Sequence, residues 1–150
     1  MTALLAAWGV FAVASAVLTV LDLRRRRLPD VVVLPVFAVS VVLLALAACV
    51  LGDPSRARDV AGGALAAFAL CLLAHLARPW AFGGGDVKLA GLVGAHLGWF
   101  GAEAVASGLL VAGILGGFAA AGMWLAGARR DHLAYGPALL GGAWWRMLQG

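Results

Sequence analysis

The sequence predicts an all-α, polytopic integral membrane protein of about six transmembrane helices, and three observations carry that prediction. Hydrophobic residues make up 64% of the 150 and charged residues only 12%. Soluble domains carry about 25% charge, so too little is present here to cover a water-exposed surface. The mean hydropathy is +1.01. Six spans of about 20 residues nearly exhaust such a length, which leaves one transmembrane domain over residues 1–150 and no separate soluble one. The net charge of +4 is small and lies in clusters beside the apolar runs. It reads as topology and anionic-lipid contact, and not as a nucleic-acid surface.

The first helix is expected from about Leu4 to Leu21. It resembles a signal peptide in hydrophobicity but has no positive region ahead of it; its charges follow, which fits a retained helix with its N-terminus outside. The second is expected from about Val31 to Leu51. Gly52 to Asp59 reads as a polar external turn, with proline and mixed charges suited to solvent. The third helix is expected from about Val60 to Ala77 and the fourth from about Val87 to Phe100. The fourth is the shortest. Gly91, Gly94 and Gly98 give it one close-packing face, so it is expected to be held among its neighbours. The fifth runs from about Ala102 to Leu125 and the sixth from about Leu133 to Leu148.

Lysine and arginine counts orient the bundle. One side receives Arg24, Arg25, Arg26, Arg27, Arg78, Lys88, Arg129 and Arg130; the other receives Arg56, Arg58 and Arg146. The positive-inside rule puts the first set in the cytoplasm and both termini outside. Asp22 closes the first helix and Asp86 opens the fourth, with one round trip of chain between them. Topology therefore delivers both carboxylates to the cytoplasmic face.

Ionisable groups at or near membrane depth are costly and are functional candidates. Two carboxyl groups sharing one proton can perform aspartyl proteolysis: the ionised one takes a proton from water while the protonated one polarises the scissile carbonyl. That chemistry needs no metal, nucleotide or other cofactor. Gly83, Gly84 and Gly85 precede Asp86. They are expected to take positive φ, to leave a non-helical GxGD loop at the membrane edge, and to let the backbone approach a substrate strand. Taken singly, Asp86 also reads as a helix N-cap and Asp22 as a partner for the arginines. The two together, on one face, favour the protease.

The remaining polar residues have simpler readings. Arg24 to Arg27 are expected to lock topology and bind headgroups, one of them also being a candidate contact for an acidic residue of a substrate. Lys88 reads as a positive-inside marker, since residues two apart on a helix do not face each other. His75, His96 and His132 show no ligand spacing and read as structural. Cys49 and Cys71, inside apolar runs without a CxxC pattern, read as small buried residues. Trp99, Trp144 and Trp145 suit an interfacial belt, and Glu103 falls on the external side.

Three segments resemble the type IV prepilin peptidase family and its archaeal preflagellin peptidase relatives. The first is Asp22-Leu23-Arg24-Arg25-Arg26-Arg27-Leu28-Pro29-Asp30, and the second is Gly83-Gly84-Gly85-Asp86-Val87-Lys88-Leu89-Ala90-Gly91. The third, a weaker echo, is Tyr135-Gly136-Pro137 opening the last helix. Their order and the six-span frame extend the likeness over essentially the whole chain. The resemblance implies an aspartic endopeptidase in the cytoplasmic (inner) membrane of a prokaryote, with Asp22 and Asp86 as the catalytic pair. Gly83, Gly84, Gly85 and Lys88 belong to the motif loop near the substrate. The implied partner is a prepilin-like protein whose basic leader is cut off at the cytoplasmic boundary, typically after a glycine.

The chain also departs from the family pattern. Larger bacterial members carry a cysteine-containing cytoplasmic insertion and methylate the new N-terminus. Here only a short Arg/Pro segment joins the first two helices, so the likeness is to the short peptidases of tight-adherence (Flp-type) pili or of archaeal-type systems, and methyltransferase activity is not expected. Asp30 stands where asparagine is commoner and reads as a cap for the second helix. Two rivals differ in class. A presenilin-type protease lacks support because Leu21 precedes Asp22 where that family has tyrosine. A non-enzymatic carrier or assembly scaffold would use the two aspartates as a proton or ion site and would release no leader.

Overall fold

The computed structural model describes residues 2–25, 28–77, 83–127 and 135–149. Nearly all of them are helical and none forms a strand. The elements are α1 (Thr2–Arg25), α2 (Asp30–Val50), α3 (Pro54–Ala77), α4 (Gly84–Gly98), α5 (Ala102–Leu125) and α6 (Gly136–Met147). Four of them, α1, α2, α3 and α5, are long and apolar enough to cross a membrane. The chain is thus an all-α, multi-pass membrane protein. The other two are shorter than a full span of about 20 residues, α4 having the short length expected of it. At 1.5 Å per residue α4 is about 22 Å long and α6 about 18 Å, against a hydrocarbon core of about 30 Å.

The structure resolves that difference by burying α4 at the centre. Twelve of its fifteen residues are buried, and it lies against α2, α3, α5 and α6. The glycine face is why it can. A Cβ on Gly94 would stand 2.2 Å from the Gly63 carbonyl oxygen, and one on Gly98 2.3 Å from that of Asp59. Backbone meets backbone along this seam, which is the close approach small residues permit between membrane helices. The α5–α6 seam works the same way: a Cβ on Gly142 would stand 2.3 Å from the Gly108 carbonyl oxygen.

α1 joins through rings. Phe11, fully buried, stacks on His96 of α4 with centroids 4.2 Å apart and lies 5.5 Å from Trp144 of α6. Trp144 Nε1 donates to Ser15 Oγ at 3.2 Å. His96 Nδ1 lies 3.0 Å from the Leu92 carbonyl oxygen, to which it donates. His96 is therefore structural, as read. Trp144 is a core tie and not part of a belt, because its indole N–H finds a partner inside. Trp99 likewise turns inward at 5% exposure, under the Arg56 guanidinium at 5.0 Å; Trp145 remains partly exposed. Cys71 is buried, whereas Cys49 faces outward.

The expected polar turn from Gly52 to Asp59 is mostly helix. α3 begins at Pro54, because proline suits the first helical position and Asp53 caps it. Asp53 accepts from the Ser55 hydroxyl, from Ser55 N at 3.1 Å and from Arg56 Nε at 3.1 Å. The Ser55 hydroxyl first, then Arg56, holds the Asp53 carboxyl below its ordinary value. Gly52, at φ +66°, makes the reversal, and Gly101, at φ +98°, does so between α4 and α5; left-handed backbone of this kind favours glycine.

Candidate functional site

The N-terminus of α4 builds one half of the site. Gly83 caps the helix at φ −74°, and Gly84 and Gly85 are its first two residues. The expected positive-φ, non-helical GxGD loop is therefore corrected: among the described residues, positive φ occurs at Gly52, Gly101 and Gly127. The glycines serve close packing instead. A Cβ on Gly85 would stand 2.8 Å from Leu28 Cβ, so this step of the second motif exists to seat the leucine of the first. Gly84 has open space around its α-carbon.

Asp86 is accordingly not the N-cap but the third residue of the helix. Its Oδ2 accepts from Gly83 N at 3.2 Å, which returns the carboxylate onto an otherwise unpaired amide. The side chain is 5% exposed.

Asp22 approaches from α1, three residues before its end, at 4% exposure. Its Oδ2 accepts from Gly136 N at 2.9 Å. That amide opens α6, so the helix's positive end points at the carboxylate. Gly136 is needed there: a Cβ would stand 2.7 Å from Asp22 Oδ2. The weak third sequence echo thus contributes the amide that holds the first aspartate. Among the described residues Asp22 forms no ion pair with Arg24; the Arg25 side chain lies outside the description, as do Arg26, Arg27, Arg78, Arg129, Arg130, His132 and Phe82.

The two carboxylates are within electrostatic reach of each other. Cys71 of α3 and Tyr135, just before α6, lie within reach of Asp86 as well. Sequence reading missed both. No spacing rule links Cys71 to the motifs; only the α3–α4 seam brings it there. Tyr135 was visible as part of the third segment but had no assigned role.

Asp30 and Lys88 form an ion pair across the α2 and α4 N-termini. Asp30 is thus not a side-chain cap: α2 is preceded by Pro29, with no side-chain capping bond. It sits in the first turn, where a negative charge suits the helix dipole, and clamps α4. Lys88 is correspondingly a tie between α4 and α2. Among the described residues, no three His, Cys, Asp or Glu side chains converge at a spacing suited to a metal ion.

The sequence profile of the type IV leader peptidase family matches residues 9–126. That span includes both aspartates and stops short of Tyr135 and Gly136. No curated protein and no solved structure matches the chain.

Proposed function

The chain belongs to the type IV leader peptidase family, and from that premise we propose that it is an aspartic endopeptidase of the cytoplasmic membrane. Its substrate is a prepilin-like protein with a short basic leader ahead of an apolar helix, cut at the membrane boundary after a glycine. Asp22 and Asp86 are the catalytic pair. What supports this reading most is the burial of both carboxylates within electrostatic reach of each other, each held by one backbone N–H.

Each carboxylate uses Oδ2 for its backbone donor, leaving Oδ1 for the shared proton and the attacking water. In this mechanism the two carboxyl groups share one proton, because like charges brought together over one substrate bond do not both ionise. The ionised member removes a proton from water as it attacks the scissile carbonyl, and the protonated member donates to the carbonyl oxygen. The resulting gem-diol collapses with a proton delivered to the leaving amine. The two apparent ionisations belong to the pair and not to either residue. The end of the bundle bearing Asp22, Asp86 and Lys88 faces the cytoplasm, in keeping with the charge count. No methyl transfer follows cleavage.

Purified protein in detergent, incubated with a prepilin and followed by mass spectrometry of the product, tests this. The expected product begins directly after the leader glycine and carries no added methyl group, even with a methyl donor present. An intact substrate, after several prepilin-like proteins have been tried, would refute it.

A further inference from the structure

A groove runs along the outside of the bundle between α3 and α5. Two adjoining cavities of about 460 and 540 Å³ form it, sharing Leu70, Ala106 and Leu109. It reaches from Arg58 to Leu70 on α3 and from Ala102 to Ile114 on α5, about 18 Å of helix on each wall. The groove exists because each long helix is committed elsewhere. α3 presses Gly63 against α4, and α5 presses Gly108 against α6, so the two long helices meet each other at the groove floor, where a Cβ on Gly63 would stand 3.0 Å from Val105 Cγ2, and diverge above it.

Its inner end, at Gly113, stops beside Tyr135. A Cβ on Gly113 would stand 3.9 Å from the Tyr135 hydroxyl. Tyr135 lies within electrostatic reach of Asp86, and the next residue, Gly136, donates to Asp22. Beyond Arg58 and Asp59 at the outer mouth, the lining is apolar and rich in small residues such as Gly62, Ala66 and Ala106. Small-residue walls admit a helix backbone at close range, and an apolar groove of this length suits an apolar helix.

We propose that the α3–α5 groove docks the apolar transmembrane helix of the leader-bearing substrate, so that its scissile end passes Tyr135 to the two carboxylates. This rests on the peptidase reading above. It adds the helices that recognise the substrate and the direction from which it enters.

Two probes distinguish the groove from the site. Both carry a basic leader ending in glycine and a short following run; one continues into an apolar helix of roughly 20 residues and the other stops as a soluble peptide. Ala66→Phe and Ala106→Phe, both at exposed positions, fill the groove. They should raise KM for the helix-bearing probe about tenfold or more while sparing the short peptide, the pattern of lost uniform binding. Leu46→Phe, on the exposed side of α2, should change neither. An unchanged KM for the long probe, or equal losses on both, would overturn the proposal.

Photo-crosslinking needs no turnover. A benzophenone side chain at position 106 in the Asp86→Asn background should label the helix-bearing probe. Label found only in lipid would overturn the groove assignment. Failure of the wild type to cleave either probe would strike the peptidase reading instead.

Discussion

Asp22 and Asp86 are each held by a single backbone amide, and both amides belong to glycines. Replacing either aspartate by asparagine preserves shape and most hydrogen bonding but removes a carboxyl that the proposed mechanism requires. Each should lower cleavage by at least about 100-fold, the scale of general acid–base catalysis, at unchanged membrane abundance. Asp30→Asn should retain substantial activity, because Asp30 pairs with Lys88 and not with Asp22 or Asp86. Loss equal to the other two would reassign the pair. Gly136→Ala places a methyl group against Asp22 Oδ2. A displacement of about 1 Å can cost about 100-fold, so kcat should fall with KM little changed; a rise in KM alone would show that the position contacts substrate. The pair also fixes the pH profile. Cleavage should be bell-shaped, falling at low pH when both acids are protonated and at high pH when both are ionised.

At the scale of elements, the two aspartates were readable because a carboxylate at an apolar boundary stands out in so uncharged a chain. The glycines of α4 were readable as a packing face, and the structure gives that face its partners in α3. The glycines before Asp86 were misread, since a triple glycine invites a loop while the sequence does not reveal that Leu28 needs the space. The start of α3 was misread for a related reason: Asp53, Ser55 and Arg56 look like a solvated turn until Asp53 is seen to cap Pro54 onward. Ring partners such as Phe11 and His96 lie on helices far apart in sequence, and no local pattern joins them. Two predictions belong here. Gly94→Ala forces a methyl group onto the Gly63 backbone and should destabilise the bundle by about 1–3 kcal/mol, read as lost membrane abundance, whereas Gly9→Ala meets nothing within 4 Å and should be neutral. Asp53→Asn should lower thermal stability at neutral pH. The folded-state carboxyl is held below its ordinary value, so its stabilisation is present above the unfolded-state value and is lost as pH falls through the folded one. The gap between variant and wild type should close in acid; a gap that persists there would mean a role unrelated to charge.

At the scale of the whole molecule, a core of one short helix wrapped by long ones places two motif segments, 64 residues apart in sequence, at one end of the bundle. The opposite end carries Asp53, Arg56 and Trp99. If the aspartate end is cytoplasmic, a cysteine at Ser55 should react with an impermeant maleimide in intact cells, and one at Arg24 only after permeabilisation. Reaction of both without permeabilisation would contradict the orientation. The central claim is that one pair of carboxylates, brought together from α1 and α4, cuts a leader from a membrane-bound substrate. It is tested most directly by co-expressing a prepilin with wild type, Asp22→Asn and Asp86→Asn and following leader removal by gel shift. Cleavage by wild type and by neither variant, at equal abundance, is the predicted result; cleavage surviving in either variant would contradict it.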